Sequence, residues 1–237
     1  MSLFSNMTTN GLEEQRDTLG GFSLLDSNIY PAVIKAAYAG RSQSGAMSVT
    51  LHLDIEGKEY KETVYITNKN GENFFIDKSD PKKRRAIPGF SVINDLCLVT
   101  LNKSLNQMDT ENKVLNIYNP ELGKEVATSV PVIMELLNKK AEFAIVKEKR
   151  FKTQKTDTGY VETDEIRESN VISKVFNAES HQTAYEIAHD LTEAPLFCDK
   201  WLEKNKGVTV DRTKGKNALS HNPIPAPAKT ERKSLFA

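Results

Sequence analysis

Cysteine is scarce in this chain, with two in 237 residues, Cys97 and Cys198. They lie far apart among apolar neighbours and lack the spacing of a metal site or redox pair. That excludes a disulfide framework or zinc module and leaves buried free thiols in a reducing compartment. Tryptophan occurs once, hydrophobic residues make up 38% of the chain, and the mean hydropathy is −0.48. A modest core with some disordered length is expected. No apolar run is long enough for a membrane span and no charged-then-apolar leader opens the sequence, so a soluble, cytoplasmic protein is expected. Net charge is also missing: 32 Lys and Arg stand against 32 Asp and Glu. A neutral total gives no global pull toward nucleic acid, so any such affinity must come from how charge is distributed.

Enzyme signatures are missing as well. There is no Walker-type phosphate loop and no dinucleotide fingerprint. His52, His181, His189 and His221 are scattered, and no Cys or carboxylate completes a metal set around His181 and His189. Asp54 and Glu56 read as solubilising acids on a strand's wet face. Cys97 falls on an apolar helix face, an inert setting for a nucleophile. The expectation is a binding protein rather than an enzyme, with no cofactor and no metal.

What the sequence does contain is strand pattern. Met47, Val49, Leu51, Leu53 and Ile55 alternate with Ser48, Thr50, His52 and Asp54, the mark of a half-buried strand. Gly57 turns the chain into a second strand over Glu59 to Thr67. Asn70-Gly71 predicts a hairpin that returns through Phe74, Phe75 and Ile76. Before these, Asn28 to Tyr38 reads as a strand with Pro31 at its start or edge. After them, Ser91 is expected to cap a helix over Val92 to Leu101, with Val92, Leu96 and Val99 on one face. Val114 to Tyr118 is expected as a short strand. Ser129, with Pro131 and Glu135 close behind, predicts a second helix bearing Val132, Ile133, Leu136 and Leu137. Ala141 to Phe151 and Val171 to Phe176 are expected strands, with a hairpin tip at Asp157 to Tyr160. Thr183 to Asp190 and Pro195 to Lys204 read as short helices.

Four adjacent cations, Lys82, Lys83, Arg84 and Arg85, follow Pro81, and Lys147, Lys149, Arg150, Lys152 and Lys155 form a second group. Two such clusters in a neutral chain predict a compensating acidic face and a phosphate-binding groove. Among Tyr60, Tyr65, Phe74 and Phe75, alternation sends about half inward, and Tyr60 and Tyr65 have opposite parity. Strand, strand, hairpin, helix and further strands is the order of a small closed barrel with a plug helix, the OB-fold layout.

From Tyr30 to Phe176 the chain resembles the OB-fold single-stranded DNA-binding proteins of tailed bacteriophages. The residues that carry the resemblance are Ala32 to Tyr38, Ser44-Gly45-Ala46, Glu62 to Thr67, Ile87-Pro88-Gly89-Phe90 and Asn170 to Phe176. It implies a mainly β fold (a β-barrel of the OB type) with a few short helices and a disordered tail. It also implies non-sequence-specific coating of single-stranded DNA during replication, recombination or repair, in the host cytoplasm if the chain is phage-encoded. The expected parts are a flexible arm over 1–21, the binding domain over 22–178, a short helical extension over 179–205, and a disordered tail over 206–237. Exposed aromatics among Tyr60, Tyr65, Phe74 and Phe75 would stack bases. Arg41, Lys58, Lys61, Lys69, Lys82, Lys83, Arg84, Arg85, Lys149, Arg150 and Lys152 would hold phosphates. Leu235 and Phe236 would recruit replication or recombination proteins, although such tails are usually acidic and this one is net basic up to Ser234. Self-association is compatible with this reading. The competing expectation is a structural or adaptor protein that binds other proteins through its β domain and tail.

Overall fold

The computed structural model describes residues 24–77, 79–119, 122–156 and 159–213. The expected arm over 1–21 lies outside them, as do Leu235 and Phe236 and the expected tail beyond 213. Three antiparallel strands open the fold: β1 (Asn28–Arg41), β2 (Met47–Ile55) and β3 (Lys58–Tyr65). The alternation read in β2 is realised, with Val49, Leu51, Leu53 and Ile55 all at 3% exposure or less. Glu56 and Gly57 make the β2–β3 turn, both at positive φ (52° and 81°), and Asp54 Oδ1 accepts from the Gly57 N–H at 2.9 Å. Positive φ at both central positions matches the right-handed twist of the strands it joins.

The hairpin expected at Asn70-Gly71 does not form. Asn68 Oδ1 accepts from the backbone N–H of Asn70 and of Glu72, and Asn68 N–H donates to Glu72 O, so the segment closes on itself. Such local side-chain bonding competes with a returning strand. The next strand, β4 (Phe74–Ile76), pairs instead with β5 (Arg84–Ala86) in a two-stranded sheet of its own. Arg84 and Arg85 of the basic run therefore belong to a strand of this small hairpin, and Lys82 and Lys83 to the loop before it. Helix α1 (Pro88–Leu101) begins three residues before the expected Ser91 cap, with Pro88 in its first turn. It buries Val92, Ile93, Leu96, Cys97 and Val99 against the inner face of the sheet.

A second correction concerns 124–137. Ser129 lies inside β7 (Lys124–Val132), which pairs over its whole length with β6 (Glu111–Asn119). Only a 3-10 turn over Met134–Leu136 follows, so the expected second helix is absent. β-branched Val126, Thr128, Val130 and Val132 on every second position favour the strand and override the cap-like Ser-x-Pro start.

The long strands β8 (Lys140–Thr156) and β9 (Gly159–Asn177) then form an antiparallel pair. Two short helices follow, α2 (Ala184–Ala188) and α3 (Phe197–Asn205), and then β10 (Thr209–Asp211). The expected disorder from Lys206 onward is corrected up to Thr213. β10 runs parallel to β8 opposite Lys147 to Lys149, and buried Ser27 donates to Val208 O and accepts from the Lys147 N–H. Neither helix is loose. Trp201 and Cys198 of α3 pack on Ala144, Val146 and Phe176 across the outer side of β8 and β9.

Hydrogen bonding links the strands in the order β9–β8–β1–β2–β3, with β1 meeting β8 at Asn28 to Val33. The main core lies on the inner side of this curled sheet, capped by α1. The fold is mainly β with few helices, but the sheet does not close into the expected barrel. β3 and β9 share no ladder, and a side chain spans the gap: Glu62 Oε2 accepts from Ile172 N–H at 2.9 Å and from Tyr60 O–H at 2.6 Å. No described helix is long and apolar enough to cross a membrane.

Candidate functional site

The β4–β5 hairpin and the ends of three strands meet at one end of the sheet. Arg41 closes β1 opposite Met47, whose N–H donates to Thr67 Oγ1. The loop between β1 and β2 abuts the next one, since a Cβ on Gly45 would lie 3.2 Å from Lys69 O. Ile87 N–H donates to Asn73 O and ties the base of the hairpin to the same place. Gly89 is the tightest point: a Cβ there would meet Tyr65 O at 2.1 Å, so only glycine lets α1 start against the end of β3.

This end presents aromatic surface beside cations. Tyr65 is 51% exposed, Phe75 48% and Ile76 56%. Phe74 is half-buried, and the Arg84 guanidinium sits 4.5 Å from its ring centroid in a cation–π arrangement. Arg41, Lys69, Lys82 and Arg84 are exposed and have no carboxylate at ion-pair distance among the described residues. Lys83 pairs loosely with Asp80 at 3.5 Å, and Arg85 donates to Asp77. Hydrogen bonds from Ser79 and then Arg85 hold the Asp77 carboxyl below the usual carboxylate range. The loop over 77–83 is thus braced by Asp77, while Lys82 and Arg84 remain available to an anion.

Other expected site residues are placed elsewhere. Tyr60 turns inward, packs on the core and bonds Glu62, so its ring is not part of the aromatic surface that Tyr65 and Phe75 expose. Burial and the Glu62 carboxylate push its phenol pKa far up. Lys58 and Lys61 are exposed, with no ion pair among the described residues, but they line a separate cleft of about 630 Å³ at the β3–β9 gap, together with His52, Tyr60, Glu125 and Asn170. In that cleft His52 Nδ1 bonds Glu59 at 3.0 Å, and Nε2 is buried with no partner among the described residues. Burial first, then the Lys61 ammonium, lowers the His52 pKa.

The second basic group is not a basic patch. Lys147 and Lys149 both reach Glu168, Lys152 reaches Glu165 at 2.6 Å, and Arg150 pairs with buried Glu148, which Arg212 also approaches at 3.3 Å. The expected separate acidic face is replaced by acids of β9 interleaved with cations of β8. Sequence spacing along β8 could show Glu148 beside Arg150, but not Glu165 and Glu168, which arrive from the facing strand.

Sequence reasoning did not single out Val114 (69%) and Tyr118 (57%), exposed apolar residues on one face of β6. Their signal was the period-two spacing with Asn116. Among the described residues no group of three or more His, Cys, Asp or Glu is placed to hold a metal ion. Burial pushes the Cys97 thiol up to about 12, so it is not a nucleophile near neutral pH. The His181 imidazole bonds Glu142, and His189 stacks on Tyr185. No known family model matches the chain, and no curated protein sequence matches it.

Proposed function

We propose that this protein binds single-stranded DNA without sequence preference and without catalysis, coating strands exposed during replication, recombination or repair. One observation carries the reading: exposed Tyr65 and Phe75 lie at the same end of the sheet as Arg41, Lys69, Lys82 and Arg84, cations that no carboxylate among the described residues neutralises. Aromatic faces accept any unpaired base, and unpaired cations accept phosphates through counterion release. An OB-type barrel is the architecture we propose for it. The strand order β9–β8–β1–β2–β3, with α1 between β3 and the later strands, supports that reading, and Glu62 stands where a β3–β9 ladder would close it.

The test is fluorescence anisotropy of labelled oligo-dT beside a duplex of equal length. Salt-sensitive binding to the single strand with weak duplex binding is expected, because bases in a duplex are already stacked and cannot reach Tyr65 or Phe75. Equal affinity for both, or none at low salt, would overturn it.

A second reading, an adaptor that binds other proteins, is favoured by exposed Val114 and Tyr118 on the β6–β7 hairpin. It requires that replacing both by serine abolish a protein contact and leave oligo-dT affinity unchanged.

A further inference from the structure

The cleft at the β3–β9 gap is not used by the proposed strand-binding end. One wall is apolar, built from Leu24, Leu25, Ile55 and the ring of Tyr60. Leu25 is fixed there by a two-way clasp, its N–H donating to Asn170 Oδ1 and its carbonyl accepting from Asn170 Nδ2. The rim carries Glu59, Glu125 and Glu168 against Lys58 and Lys61. Glu59 is engaged by His52 and Glu168 by Lys147 and Lys149. Glu125, on β7, has no ion pair among the described residues, and neither do Lys58 and Lys61, so the cleft combines an apolar wall with one uncommitted carboxylate and two uncommitted cations. At about 630 Å³ it is of a size that takes two large apolar side chains.

The described chain leaves next to this cleft. Arg212 N–H donates to Lys149 O at 2.8 Å, and Asp211 and Glu168 flank Lys149 on opposite sides of β8. Two strand spacings, about 10 Å, therefore separate the exit from a cleft-lining residue. Residues 214–237 hold five cations, Lys214, Lys216, Lys229, Arg232 and Lys233, against the single carboxylate of Glu231. Leu235 and Phe236 are the only large apolar residues after Ile224. A flexible segment of the length from Thr213 to Leu235 spans about 25 Å on average, more than the distance required.

We propose that Leu235 and Phe236 of this same chain seat against Leu24, Leu25, Ile55 and Tyr60 in the cleft, with Arg232 or Lys233 paired to Glu125. The apolar side chains leave water, and the cations complement the one rim carboxylate that is not already engaged. This site is independent of nucleic acid. It also differs from the strand-binding end, so Tyr65 and Phe75 stay open while the cleft is filled.

The test uses the full chain with benzoylphenylalanine in place of Phe236, irradiated without DNA as a mixture of isotopically light and heavy protein. Crosslinked peptides are then mapped by mass spectrometry. The expected crosslinks fall on 24–25, 55–61 or 168–170 and join residues of one chain. Glu125→Lys should lower their yield by roughly two- to fivefold, the range of a surface charge pair. Crosslinks between chains, crosslinks to Tyr65 or Phe75, or none at all would each overturn the proposal. Because no DNA is present, its failure leaves the strand-binding reading untouched.

Discussion

Glu62 sits on the inner side of β3, and burial raises its pKa above the ordinary value against the opposing pull of its Tyr60 and Ile172 hydrogen bonds. A carboxyl with a raised folded pKa costs stability while ionised, and that cost disappears as pH falls through the folded pKa. Glu62→Gln keeps a carbonyl acceptor for Tyr60 O–H and Ile172 N–H without the charge. Thermal unfolding should find the variant more stable than wild type at about pH 8, with the gap narrowing toward about pH 5. A gap that does not change with pH would mean that folding does not shift the Glu62 pKa. At the strand-binding end, Tyr65→Ala and Phe75→Ala should each weaken oligo-dT binding by about 1–3 kcal/mol, whereas Tyr65→Phe should change it little. Tyr60 could be separated from these two in the sequence, because parity puts it on the opposite face from Tyr65. Its bond to Glu62 could not be read there, since the residue that gives Glu62 its second partner, Ile172, lies more than a hundred positions away.

The elements divide the same way between local and distant causes. β2 and β3 were legible because alternation and a two-residue turn are written within a few positions, and α1 because its apolar face repeats at helical spacing. The hairpin forecast at Asn70-Gly71 failed because Asn68 closes its own loop, and β4 then has the basic strand β5 as its neighbour. The forecast helix after Ser129 failed because β6 offers a full-length partner to β7. Gly89 marks the junction that holds α1 against β3. Gly89→Ala, easily accommodated in a free helix, should destabilise the fold by about 1–3 kcal/mol through overpacking against the Tyr65 carbonyl. Chemical denaturation would read this directly, and an unchanged midpoint would show that the helix can shift away. The β8–β9 pair carries its cations already matched by Glu165 and Glu168, so Lys149→Gln with Lys152→Gln should alter stability by less than about 1 kcal/mol.

For the whole molecule, neutrality does not mean even mixing of charge. Lys147, Lys149 and Lys152 of β8 are spent on carboxylates of the facing strand and Arg150 on Glu148 of its own, while four at the other end, Arg41, Lys69, Lys82 and Arg84, are left to the solvent. The amino-acid order marks both groups as basic, and the pairing of β8 with β9 separates them. If single strands bind at the β4–β5 end, the logarithm of affinity should fall with the logarithm of salt at a slope of about −3, from four phosphate contacts on a single strand. The most direct measurement is therefore the salt dependence of oligo-dT binding in two variants. Lys69→Gln/Lys82→Gln/Arg84→Gln should flatten the slope by about 2, while Lys149→Gln/Lys152→Gln should leave it unchanged. A slope that responds to the β8 pair and ignores the first three would contradict the placement of the site.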